Sequence, residues 1–228
     1  MDWRIISIGT LPAHPLWGEK GQVRTGHATT SLVVSGKQRI LVDPGLPDQI
    51  IAARLAERAN LTPSQITDVF LTSFKSDCRR GIGAFEHASW WISEAEREGV
   101  GVPIAQRLKS LNLDDEEDRV LRDVLTRDVA VLQRCRPAPD RLADRVSLFP
   151  LHGVTPGLCG LLLEDARFTV LIAGDAVPTI EHLEKVQVLS GAVDANAARE
   201  SFAEAIEVAD LIIPGRDNLL VNPTKKPF

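Results

Sequence analysis

The segment at residues 69–85, VFLTSFKSDCRRGIGAF, constrains the fold more than any other part of the chain. A continuous apolar run reads as a buried strand, stops in a short polar loop, and gives way at Gly81-Ile82-Gly83 to a helical pattern. Strands that alternate with helices build α/β layers, and the loop leaving such a strand is where these proteins place their chemistry. Here the loop carries Ser73, Lys75, Ser76, Asp77 and Cys78, but no histidine.

The remaining sequence sets two strand-rich halves around a helical middle. TTSLVVSG and QRILVDPG read as strands joined at Ser35-Gly36-Lys37, a hairpin signal. DQIIAARLAERAN places Ile51, Leu55 and Arg58 at helical spacing, so a helix from about Asp48 and the strand in ITDVFLTS make a βαβ unit. ASWWISEAERE reads as a strand ending at Ser93, with Glu96 completing a capping box. Its paired tryptophans suit a core or interface rather than a ligand platform. Residues 103–145 are charged and helical, with a second capping box expected at Asp114 and Glu117. An apolar stripe there (Val120, Leu121, Val124, Leu125, Leu132) should dock on the core. In the second half RVSLFPL, LCGLLLED and RFTVLIAGD read as strands. A helix from about Asp194 turns Ala198, Phe202, Ala205, Ile206 and Ala209 inward, and DLIIPGRDN closes as a strand and turn. The expected organisation is one domain over 1–228, with a first half of about 1–102, a helical insertion of about 103–145 and a second half of about 146–228.

Composition narrows the function classes. The 228 residues are 44% hydrophobic and 25% charged, as in an ordinary soluble globular protein. No apolar run nears the roughly 18 residues that span a bilayer. The start, MDWRIISIGTLPAHP, lacks a signal-peptide profile, so no membrane partner is expected. Cys78, Cys135 and Cys159 are widely spaced and odd in number, which suits a reducing cytoplasm better than a disulfide framework. A net charge of −5 argues against a nucleic-acid partner, which would call for a basic face.

Five motifs follow one another along the chain. ILVDPG is similar to an early strand ending in Asp-x-Gly, and VFLTSFKSDCRRGI to a strand followed by Thr-His-x-His-x-Asp-His and a glycine. GVTPGLCGLLLE is similar to Gly-His-Thr-Pro-Gly and its strand, LIAGDAV to a strand ending in Gly-Asp, and LIIPGRD to a terminal Pro-Gly-His-Asp. In this order they resemble the metallo-β-lactamase superfamily over nearly the whole chain. The resemblance implies an α/β fold, a four-layer αββα sandwich, here with a helical insertion between its halves. It also implies a site at one edge where loops of both halves meet, and two zinc ions that activate water.

Carried over residue by residue, that metal site is mostly replaced. Ser73 and Lys75 stand at the first two histidine positions, Asp77 is kept, and Cys78 stands at the last histidine of the loop. Val154 takes the histidine position of the second half, Asp175 keeps the bridging carboxylate, and Arg216 takes the terminal histidine. Ser73, Lys75, Val154 and Asp175 do not make a zinc site, which needs several imidazole or thiolate donors. Asp77, Cys78 and Asp175 offer enough for one ion, but a guanidinium beside them cannot ligate and repels a cation. No cofactor is therefore expected. His152 reads as a hydrogen-bonded structural residue or a pocket residue, and Asp43 as a cap on turn amides. His14, His27, His87 and His182 show no metal spacing.

Two functions fit these residues. One is a pseudo-enzyme whose cleft, lined by Ser73, Lys75, Asp77, Cys78, His152, Val154, Asp175 and Arg216, takes a small-molecule ligand, with homo-oligomer formation open. The alternative is an atypical hydrolase, using one metal at Asp77, Cys78 and Asp175, or a metal-free pair of Ser73 as nucleophile and Lys75 as base. Two buried carboxylates without a metal repel each other. Lys75 and Arg216 are therefore expected to neutralise Asp77 and Asp175 in an ion-pair cluster. Removing a buried member of such a cluster should cost roughly 3–5 kcal/mol.

Overall fold

The computed structural model describes residues 1–112 and 114–225. In the first half run β1 (Asp2–Ser7), β2 (Thr30–Ser35), β3 (Gln38–Val42), α1 (Asp48–Ala59), β4 (Asp68–Leu71), α2 (Ser76–Arg79) and β5 (Ser89–Ile92). Two long helices follow, α3 (Glu94–Ser110) and α4 (Glu116–Arg134), and then the short β6 (Arg136–Pro137). The second half holds β7 (Arg141–Ala143), β8 (Val146–Pro150), β9 (Cys159–Glu164), β10 (Thr169–Gly174), α5 (Ile180–Lys185), α6 (Ala195–Val208), β11 (Leu211–Pro214) and β12 (Leu220–Val221). Strands β1 to β6 lie side by side in chain order in one sheet, and β12, β11, β10, β9, β8 and β7 in the other. The β2–β3 turn is the predicted one, with Ser35 opposite Gln38 and Gly36 at φ 58°.

Alternation along the strands explains the layers. Side chains of a strand point to opposite faces in turn. Val33, Ile40, Val42 and Phe70 of the first sheet therefore meet Leu161, Leu163, Val170, Ile172 and Ile213 of the second in a central core. Their neighbours Leu32, Leu41, Val69 and Leu71 turn the other way, onto Ile51 and Leu55 of α1 and Leu132 of α4. Leu171 and Ile212 turn out from the second sheet onto Ala198, Phe202 and Ala205 of α6. Helices thus cover the outer face of each sheet, giving the αββα order. Trp90 is buried in the first core and Trp91 donates its indole N–H to Asp68, so the tryptophan pair serves packing.

Several local expectations need correction. After Gly81-Ile82-Gly83 there is only a 3₁₀ turn, Ile82–Phe85, and the α-helical turn α2 comes before the glycines. The helical segment starts at Glu94, earlier than residue 103, and gives way to β6 and β7 before residue 145. Helix α3 runs through Pro103 despite the helix-breaking residue. The N-cap of α4 is Asp115, which accepts from the amides of Glu117 and Asp118; Asp114 lies outside the helix. Ser93 caps α3 as expected, but Glu96 does not reach back to close the box. The stripe on α4 docks only at its end. Leu132 is buried, whereas Val120 and Val124 are 62% and 47% exposed, and no described residue from 97 to 131 is buried. Val100 and Ile104 of α3 and Val131 of α4 pack partly buried on the first core, while the Val120–Val124 part of α4 faces solvent.

Candidate functional site

Parallel pairing of β3 with β4, and of β10 with β11, brings the C-terminal ends of these strands to one edge of the sandwich. Ligands of α/β sheets collect at such edges. Asp43 follows β3, Thr72 and the loop to α2 follow β4, Asp175 follows β10, and Gly215-Arg216 follow β11. Segment 28–29 stitches the two halves together here: Ala28 N–H donates to the carbonyl of Asp77 (2.9 Å) and Thr29 N–H to that of Gly215 (2.7 Å). Only glycine fits at 215, because a Cβ there would lie 2.5 Å from Asp175 Oδ1.

Four charged side chains meet at this edge. Arg216 donates from Nε to Asp175 Oδ1 (2.7 Å), from Nη2 to Asp175 Oδ2 (2.8 Å) and from Nη1 to Asp77. Lys75 Nζ donates to Asp175 Oδ2 at 2.9 Å. The side chains of Arg216 and Asp175 are each 2% exposed, whereas those of Asp77 and Lys75 are 22% and 36% exposed. Burial alone would push the Asp175 carboxyl up, but Arg216 and then Lys75 hold it well below the usual carboxylate range. Burial opposes both cations in turn, yet Asp175 keeps the Lys75 ammonium and the Arg216 guanidinium above their ordinary values. The formal charges of the two carboxylates and the two cations sum to zero.

The other residues expected in the pocket lie elsewhere. Ser73 is fully buried and its hydroxyl faces Cys78 Sγ at 3.4 Å rather than Lys75. Cys78 is buried, and burial pushes its thiol well above the ordinary range, away from the thiolate that ligates metals. Val154 packs into the core beneath α6. His152 is exposed, and it is its backbone carbonyl that is used, accepting from Ser201 Oγ at 2.7 Å. Gly153, at φ 119°, presses against the backbone of α6, which turns this loop away from the cleft. Among the described residues Asp43 caps no amide of its own turn; it reaches across to β4, accepting from Thr72 N–H (2.9 Å) and Thr72 Oγ1 (2.6 Å).

The cleft is formed above Lys75, Ser76, Asp77, Asp175 and Arg216, with a volume of about 440 Å³. Its walls come from Leu11, Pro12, Ala13, Pro15, Leu189 and Ser190, none of which belongs to a motif. On the other side of Lys75 and Ser76 lies a second groove of about 330 Å³, walled by Phe74, Arg79, Ile104, Asp128 and Pro156. The 10–19 segment that walls the first cleft is fastened to α5. His14 stacks on Trp17 and reaches Thr179 Oγ1 and Glu181, both at 3.2 Å, and Trp17 Nε1 donates to Glu181 at 2.7 Å. Glu96 holds the walls of the second groove. Its fully buried carboxylate accepts from Phe74 N–H (2.9 Å), Thr155 Oγ1 (2.8 Å) and Gly157 N–H (2.9 Å).

These residues do not fit a pair of zinc ions. Among the described residues no group of three or more His, Cys, Asp and Glu side chains is arranged to hold a metal. The space between Asp77 and Asp175 is spanned by the guanidinium of Arg216. Among the described residues, too, no helix is long and apolar enough to cross a membrane.

Comparison with known proteins places this architecture. No curated protein sequence matches the chain. Among solved structures, a Thermotoga maritima protein assigned to the metallo-beta-lactamases superposes with a TM-score of 0.68 at 18% identity, covering 96% of this chain and 98% of its own. The hydrolase AbOPH of the beta lactamase superfamily gives 0.65 at 17%, covering 89% and 80%. AidC, a dizinc quorum-quenching lactonase, gives 0.60 at 20%, covering 79% and 67%. At these identities the likeness is one of fold. A sequence profile of the metallo-beta-lactamase superfamily matches residues 23–215, from before β2 to the turn after β11. With the two sheets and the outer helices, the chain belongs to the metallo-beta-lactamase superfamily.

Proposed function

We propose that this chain is a non-catalytic member of its superfamily, in which two of its own cations stand in for the metal ions and the cleft serves to bind a small molecule. The observation that carries the reading is Arg216. Its Nε, Nη1 and Nη2 are all engaged by Asp175 and Asp77, the two carboxylates that the resemblance assigns to metal. A guanidinium cannot ligate, and a buried one bonded to two carboxylates costs several kcal/mol to displace. Lys75 and Asp77, the two exposed members of the quartet, have donor and acceptor capacity left over. A polar ligand carrying both an acceptor and a donor suits such a floor. Three free, buried cysteines support a reducing compartment such as the cytoplasm.

The alternative hydrolase has less support. A single metal at Asp77, Cys78 and Asp175 would need a thiolate from a buried thiol and the expulsion of Arg216. Ser73 cannot serve as a nucleophile with Lys75 while it is sealed from the cleft and the lysine is held as an ammonium by Asp175.

Elemental analysis of the purified protein, before and after zinc loading, tests the reading together with turnover assays. The expected result is less than one zinc per chain. No hydrolysis of lactams, lactones, thioesters or phosphodiesters above background should accompany it. Lactones belong in the panel because AidC is a lactonase. Zinc-dependent turnover that vanishes in Asp175→Ala would overturn the proposal in favour of the hydrolase.

A further inference from the structure

We propose that the α3/α4 hairpin is a self-association surface, on which two copies of this chain pair through antiparallel α4 helices. Positions 116, 120, 124, 127 and 131 recur every three or four residues and so lie along one flank of α4. That flank reads Glu116, Val120, Val124, Arg127, Val131. Only its last member packs on the core, and the two central valines are 62% and 47% exposed. A projecting helix leaves such residues in water unless something covers them.

Charge selects the occupant. The flank is acidic at its start and basic toward its end, and the side chains of Glu116 and Arg127 are exposed and in no ion pair among the described residues. A two-fold interface must be complementary to itself. Setting Val120 level with Val124 of a second, antiparallel copy brings Glu116 beside Arg127 of that copy, and symmetry repeats the pair. Parallel pairing would set like charges together. Asp128, one step round the helix, adds no repulsion because Arg79 Nη2 donates to it at 2.6 Å. Two helices alone bury less than the ~1,600 Å² of a standard interface, so the dimer is weak, with a dissociation constant on the order of 10–50 μM. Asp128 and Ile104 also wall the groove beside Lys75, so pairing steadies that wall.

Sedimentation velocity of the full chain tests this from about 1 to 200 μM, a range that brackets such a constant. The sedimentation coefficient should rise from monomer to dimer over this range. Val124→Glu should stay monomeric throughout. Arg127→Glu should weaken pairing roughly tenfold or more, and Glu116→Arg combined with Arg127→Glu should restore it. Melting curves confirm that each variant, altered only at exposed positions, is folded. A wild type that stays monomeric at the top concentration overturns the proposal. So does a dimer indifferent to Val124→Glu, or a charge swap that pairs no better than Arg127→Glu alone.

Discussion

Asp43 and Asp175 occupy matching places in the two sheets. Each follows directly on a central strand, β3 in one case and β10 in the other, and each is 2% exposed. Among the described residues the Asp43 carboxyl is hydrogen-bonded to the amide and hydroxyl of Thr72, and burial pushes it up to about 7 despite those bonds. Asp175 pays the same penalty of burial, but Arg216 and Lys75 drive it far the other way. Depth in the protein therefore sets how much a carboxylate's charge costs, while a cation within hydrogen-bond reach decides whether the charge is kept. A scaffold built around cations at one of these turns can hold an anion there with or without metal.

The largest effect should come from making the second turn resemble the first. Arg216→Met leaves Asp175 and Asp77 with Lys75 alone, in a site that is nearly closed. Destabilisation of roughly 3–5 kcal/mol is expected, measured by urea unfolding at pH 7. Adding Asp175→Asn to that variant should recover part of the loss. A single variant as stable as wild type would show that the guanidinium does not neutralise a buried charge.

Next in size is a pH effect carried by the first turn. The folded Asp43 titrates near 7, above an unfolded value of about 4. It binds its proton more tightly when folded, so its contribution is complete below about pH 4 and is lost as pH rises through 7. Asp175 has the opposite sign: its contribution is present above about pH 4 and disappears in more acid solution. Between pH 5 and pH 8 the wild type should lose roughly 2–3 kcal/mol through Asp43, and Asp43→Asn should flatten that slope. Equal slopes in the two proteins would mean that Asp43 is already ionised at pH 5.

The smallest effect is expected at Lys75. The sequence alone treats it as equal to Arg216, but its side chain is 36% exposed against 2% for the arginine. Solvent screens its pairing, so Lys75→Met should cost about 1 kcal/mol. A loss as great as that of Arg216→Met would put the lysine, too, in the closed part of the cluster.

What could be read in advance follows from what is local. Strands such as VFLTS and LIAGD were legible from their unbroken apolar runs, while the αββα order came from the resemblance that the five motifs carry. The cluster was legible because the resemblance sets positions 75, 77, 175 and 216 around one metal site, and two carboxylates there need cations. His152, Val154, Ser73 and Cys78 were harder to place, since the direction of a loop side chain is set by what packs behind it. For the 152–154 loop that is α6, more than forty residues on in sequence. The walls of the cleft gave no signal at all: Leu11, Pro12 and Leu189 are ordinary apolar residues outside every motif. Glu96 did give one, a capping box, but the buried amides of Phe74 and Gly157 compete for its carboxylate and win.

The quartet also bears on how fast the chain comes apart. Its bonds join residues 41, 100 and 139 positions distant along the chain. Contacts that close such long loops form late, after the strands and helices that must first bring their partners together. Interactions absent from the folding transition state leave the folding rate nearly untouched and act almost wholly on the rate of opening. Arg216 is thus a latch rather than a seed. Losing it should leave refolding at its normal pace while the native state opens many times faster.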